Sequence, residues 1–135
     1  MEHFAINWWA VLAAAVARMV LGAIWYSPPL FFNRWMALTG ITHAEMNRRM
    51  PMLLLVDFVC AVLIGFVLVH AVRYAGAVGV AQGAVVGFFN WLGFIATVTL
   101  GITLYEKKPF ALFAITNGWQ LISLMVMGAI LAGWP

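Results

Sequence analysis

The sequence predicts an all-α, polytopic integral membrane protein: four transmembrane helices, with a short interfacial helix between the first two. Three observations predict it. Of the 135 residues 66% are hydrophobic and 8% are charged, whereas a soluble domain carries about 25% charged residues to wet its surface. Apolar runs of about 20 or more residues recur four times, each long enough at about 1.5 Å per residue to cross about 30 Å of hydrocarbon. None of these runs alternates as a strand does, and in lipid a helix satisfies its own backbone without closing a barrel. A chain of this length makes a single domain, residues 1–135.

The first span is predicted from about Asn7 to Tyr26. Met1-Glu2-His3-Phe4 lacks the positive charge that opens a secretory signal, and the apolar run after it is too long for one, so the helix is expected to be retained. Ser27-Pro28 then offers an N-cap with proline at the first helical position, and Gly40 offers a stop. Residues 28–39 are therefore expected to form a helix lying in the interface, with Phe31, Phe32, Trp35, Met36 and Leu38 on its apolar face and Asn33 and Arg34 opposite. Thr42-His43-Ala44-Glu45 is a capping-box pattern that opens a short turn, which Met50-Pro51 is expected to end or kink. The second span follows from about Pro51 to His70. After a Gly-rich turn from Arg73 to Ala81, the third runs from about Gln82 to Leu104 and the fourth from about Phe110 to Trp134.

The basic residues set an expected orientation. Arg34, Arg48 and Arg49 lie between spans one and two, and Lys107 and Lys108 between three and four, which is the same side of a four-span chain. Only Arg73 lies in a loop on the other side, so the positive-inside rule places the basic loops in the cytoplasm and both termini outside. Trp8, Trp9, Tyr74 and Trp134 would then mark one interface and Trp25, Tyr26, Trp35 and Tyr105 the other.

Several function classes are disfavoured. The net charge of +3 is scattered among apolar runs and forms no basic stripe, so no nucleic-acid partner is expected; the partner is the lipid bilayer. Cys60 is the single cysteine, and His3, His43 and His70 fall at ends or in loops on different sides, so neither a disulfide nor a metal or haem site is expected. Nucleotide-binding glycine loops, nucleophile elbows and His-Glu metal motifs are missing from the sequence, so an enzyme is not expected and no cofactor is implied. Trp91 and Trp119 lie near the midplane, where packing is the simpler role and contact with a quinone, pigment or lipid the alternative.

Arg18 and Asp57 are the ionisable groups placed inside spans, each costing about 2.5 to 3.5 kcal/mol near a helix centre. Counted from Tyr26 and Pro51 they lie about 12 and about 9 Å deep, a match that predicts an intramembrane Arg18–Asp57 ion pair. On the third span Gly83, Gly87, Asn90, Thr97 and Gly101 fall on one face at about 3.6 residues per turn. Asn117 and Gln120 on the fourth lie level with Arg18 and Asp57, and are the next candidates as their partners. Arg18, Asp57, Asn90, Thr97, Asn117 and Gln120 are thus expected to meet in one polar interior, and Gly79, Gly83, Gly87 and Gly101 to serve close helix packing. A structural role is favoured for this cluster. The function expected is that of a structural or accessory membrane protein working through helix contacts in a homo-oligomer or larger complex. The alternative is a small transporter or channel built on Arg18 and Asp57.

Asn7-Trp8, Gly22-Ala23-Ile24-Trp25-Tyr26-Ser27-Pro28, Trp35-Met36, Trp91-Leu92-Gly93-Phe94 and Val126-Met127-Gly128-Ala129-Ile130-Leu131 carry a resemblance over almost the whole chain. The sequence resembles a bacterial family of small four-helix membrane proteins of unknown function, most specifically in Trp25-Tyr26-Ser27-Pro28. That resemblance implies the same four-helix architecture and a bacterial cytoplasmic (inner) membrane, and it assigns no activity and no residue role.

Overall fold

The computed structural model describes residues 4–135, so His3 lies outside the described residues. Five helices follow one another: α1 (Trp8–Trp25), α2 (Phe32–Thr39), α3 (His43–Tyr74), α4 (Gly79–Tyr105) and α5 (Phe110–Gly133). All but α2 are long and apolar enough to cross a membrane. The ends of the bundle are here the termini side and the basic-loop side.

Local chemistry explains most boundaries. The Asn7 side chain caps α1 by accepting from the Ala10 amide at 3.3 Å, and its Nδ2 donates to the Trp134 carbonyl at 3.3 Å, bringing both ends of the chain together. Gly40 ends α2 in the left-handed region at φ 73°, and Thr42 Oγ1 accepts from the Glu45 amide at 3.2 Å to open α3. Two expectations change here. Ser27 does not cap α2: its hydroxyl turns back to the Ile24 carbonyl at 2.6 Å, residues 27–31 form a turn, and α2 starts at Phe32. Nor does Pro51 end the turn that Thr42 opens, because α3 runs unbroken from His43 to Tyr74. The carbonyl that loses its donor at Pro51 belongs to exposed Asn47, in the basic-loop segment ahead of the apolar run, where water can replace the missing bond.

α5 is the central helix, packing against α1, α3 and α4. The core gathers small and branched residues, among them Val11, Ala14, Leu68, Val72, Leu124 and Met127. The buried residues of α3, from Ala61 to Val72, all lie in its termini-side half; between His43 and Cys60 none is buried. The closest crossing joins α4 to α5, where a Cβ on Gly83 would land on the Gly128 carbonyl and 2.6 Å from the Ala132 Cβ. One on Gly87 would strike the Leu124 backbone, 2.6 Å from its carbonyl carbon. Lipid tails supply no hydrophobic drive between helices, so such backbone approach is what holds the pair together.

A wide π turn from Trp91 to Ala96 interrupts α4. It slows the rotation of side chains about the axis, so the inward face past Gly87 runs through Trp91, Ile95, Thr99 and Thr103. Thr97 is exposed, and open space surrounds the Cβ positions of Gly93 and Gly101. Thr97 and Thr99 hydroxyls donate to the Gly93 and Ile95 carbonyls, at 2.8 and 2.6 Å, which satisfies acceptors within the wide turn.

Candidate functional site

The site is a buried guanidinium with an aromatic roof. Arg18 lies two turns from the basic-loop end of α1 and is 4% exposed. Its NH1 donates to Ser123 Oγ at 2.7 Å and its NH2 to Gln120 Oε1 at 2.7 Å. Gln120 and Ser123 are three residues apart on α5, hence on one face, and Ser123 is 0% exposed. The Trp119 ring covers the guanidinium, with 4.3 Å from Arg18 Cζ to the ring centroid. Charge-assisted hydrogen bonds to neutral acceptors and a cation–π contact therefore seat this cation without a carboxylate in contact.

The roof is itself held by a reciprocal interlock of α1 and α5. A Cβ on Gly22 would meet the Trp119 indole at 3.2 Å, and one on Gly118 would meet the Trp25 ring at 2.6 Å, so each tryptophan lies over a glycine of the other helix. Trp25 Nε1 also donates to the Ile115 carbonyl at 2.9 Å. Tyr26 extends the aromatic layer, edge-on to Trp119 at 5.7 Å and to Trp35 of α2 at 5.9 Å. Phe31 and Trp25 meet at 4.6 Å. α2 turns Phe32, Trp35, Met36 and Leu38 toward the protein, all half-buried, and leaves Asn33 and Arg34 exposed.

The Arg18–Asp57 ion pair is not formed. Among the described residues the one salt bridge is Lys108 to Glu106 at 3.2 Å, and Asp57 makes no hydrogen bond. Asp57 is half-buried on α3 and acts on Arg18 and Tyr26 only through its field. The basic-loop half of α3 is the half without buried residues, so Gln120 and Ser123, on the helix packed along α1, reach the guanidinium instead.

The other expected members separate. Asn117, 4% exposed, donates to Thr99 Oγ1 at 3.0 Å and to the Phe113 carbonyl at 3.1 Å, tying α5 to α4 away from Arg18. Asn90 donates to its own helix at Val86, 2.8 Å away, and lines a groove of about 450 Å³ with Ala71, Gln82 and Phe89. Thr97 faces outward because of the π turn. Of the four glycines expected to pack, Gly83 and Gly87 do so within the chain. Gly79 instead starts α4 at φ 85°, and Gly101 meets open space.

Ser123, Trp119 and Tyr26 were not legible as Arg18 neighbours from the sequence. The usable signal was the pair Gln120 and Ser123, three residues apart at the depth of Arg18. His43 sits against Phe32 at 5.5 Å, whereas His70 lies toward the termini side with Phe4, Phe66 and Tyr74.

A family model described as "Protein of unknown function (DUF1761)" matches residues 9–132. No curated protein and no solved structure matches the chain.

Proposed function

The chain belongs to the DUF1761 family, and since that membership assigns no activity, we propose from the packing of its helices that it is a non-enzymatic structural or accessory membrane protein that assembles through α4. The observation that carries this is the outward face of α4. Of an apolar 18-residue stretch of α4 only 6% is buried, against 22% in α3 and 28% in α1 and in α5. That face presents Gly93, Thr97 and Gly101 at four-residue spacing, with nothing within 4 Å of a Cβ at either glycine. Internal packing already uses Gly83 and Gly87, so this second small-residue strip is free for a helix of another copy or of a larger complex. In mild detergent the protein should elute as a defined oligomer or with a larger assembly, and Gly93→Leu with Gly101→Leu should convert it to a folded monomer. A wild-type protein that is strictly monomeric and without partners would contradict the proposal.

The same proposal places the protein in a bacterial inner membrane with its basic loops in the cytoplasm and both termini outside, supported by Arg34, Arg48, Arg49, Lys107 and Lys108 on one side against Arg73 on the other. A fused reporter that works only outside the cytoplasm should be active after Trp134 and silent at Lys107-Lys108. The reverse pattern would invert the orientation.

A further inference from the structure

The groove of about 450 Å³ between α3 and α4 is walled on one side by Ala71, Ala75 and Ala77, at the end of α3 and in the turn after it, and on the other by Gln82, Phe89 and Asn90 of α4. Its volume is that of a small-molecule site, about 300 to 1,000 Å³. Asn90 lies eleven residues beyond Gly79, so the groove runs from the termini-side end to a depth of about 16 Å, half of a hydrocarbon core of about 30 Å. That deep end is polar. Asn90 uses one Nδ2 hydrogen on the Val86 carbonyl of its own helix at 2.8 Å, and among the described residues nothing donates to its Oδ1. Asn117 and Thr99 bond each other across α5 and α4, whereas Asn90, half-buried, bonds no other helix. Phe89 beside it is 61% exposed, and the three alanines opposite leave room for a flat ring. No charged side chain lines the groove among the described residues; His70 and Arg73 of α3 instead meet Phe4, at 5.2 and 5.3 Å.

We propose that this groove binds a membrane quinone, with a head oxygen on the Asn90 amide, the ring beside Phe89 and the tail running out into hydrocarbon. Depth and charge select that class. A phospholipid keeps its polar head at the interface and would bring only acyl carbon to Asn90, leaving the amide unmet at a depth where water is scarce. A neutral ring lipid carries its oxygens into the hydrocarbon. An oxidised head offers a carbonyl to the second Nδ2 hydrogen and a reduced head offers a hydroxyl to Oδ1, so the amide serves either form. Gln82, about 12 Å nearer the termini side, accepts from the Val78 amide at 2.8 Å, and among the described residues its Nε2 donates to nothing. That leaves a second neutral donor at the mouth of the groove. The groove shares no residue with the strip of Gly93, Thr97 and Gly101, so it stands apart from the assembly face.

The full chain in liposomes of phosphatidylethanolamine and phosphatidylglycerol, given a photoreactive azidoquinone with a short isoprenoid tail, tests the proposal. Illumination should leave saturable adducts on the peptides that carry Ala71 to Ala77 and Phe89 to Asn90. Unlabelled decylubiquinone should compete them away, and added phosphatidylglycerol should not. Asn90→Leu should weaken labelling about tenfold, the effect of one hydrogen bond. Its helical circular dichroism should hold, because the bond it loses lies within its own helix. Ala75→Phe fills the exposed rim of the groove without entering the core, and should block labelling even where Asn90→Leu folds poorly. Absent adducts, or adducts scattered over the lipid-facing helices without saturation, would overturn the proposal. So would labelling that phospholipid displaces, or labelling that either folded variant leaves unchanged.

Discussion

Gly87→Val is expected to abolish the α4–α5 crossing, at a cost of about 3 kcal/mol or more, the upper range for overpacking a tight contact. The first atom of any side chain at Gly87 meets backbone, the carbonyl of Leu124 and the Cα of Met125, and backbone cannot rotate aside as a side chain can. The helices must separate along their length, which also opens the seat of Gly83 against Gly128 and loses the close contacts that hold helices together in lipid. Gly93→Val on the same helix supplies the control. Its Cβ meets open space, so the folded protomer should change by no more than about 0.5 kcal/mol. Helical circular dichroism followed on heating in detergent checks both, because it reads the folding of the protomer and Gly93 also lies on the proposed assembly face. An equal loss from the two variants would show that the crossing is not where α4 and α5 approach most closely.

This contrast between two glycines six residues apart marks where the sequence is legible and where it is not. The existence of the spans follows from hydropathy and length, because lipid imposes a minimum apolar run. Gly40 and Thr42 were legible because each solves a local backbone problem at a helix end. Helix rotation was not legible, since every face of a spanning helix is apolar and no amphipathic stripe says which side faces protein. The regular period carried Asn90, Thr97 and Gly101 inward with Gly83 and Gly87. The π turn at Trp91–Ala96 broke that projection, and nothing in those six residues dictates a wide turn. Asp57 failed as the partner of Arg18 for a related reason. Depth can be counted from the sequence, whereas the lateral separation of α3 from α1 near the basic loops depends on packing at the other end of the bundle. Depth did place Gln120 among the next candidates, and Gln120 is one of the two acceptors that hold the guanidinium.

Gln120→Leu should therefore have the second large effect, about 2 to 3 kcal/mol, because it strips a buried guanidinium of a charge-assisted hydrogen bond. Arg18→Leu should cost less than that or even stabilise, since it also removes the expense of a charge in hydrocarbon, about 2.5 to 3.5 kcal/mol on the insertion scale. Ser123 and Gln120 then lose a donor, and each neutral group tolerates this better than a guanidinium does. The two changes must be coupled, with the pair more stable than Gln120→Leu alone. Asp57, out of contact, should show weaker coupling to Arg18 through its field only.

The double-mutant cycle for Arg18 and Gln120, run beside the cycle for Arg18 and Asp57 by reversible unfolding in mixed micelles, tests most directly that α5 holds this cation. The structure predicts a coupling of at least about 1.5 kcal/mol for Arg18 with Gln120 and a smaller one for Arg18 with Asp57. Additivity of Arg18 and Gln120 within about 0.5 kcal/mol, together with a larger coupling to Asp57, would contradict it.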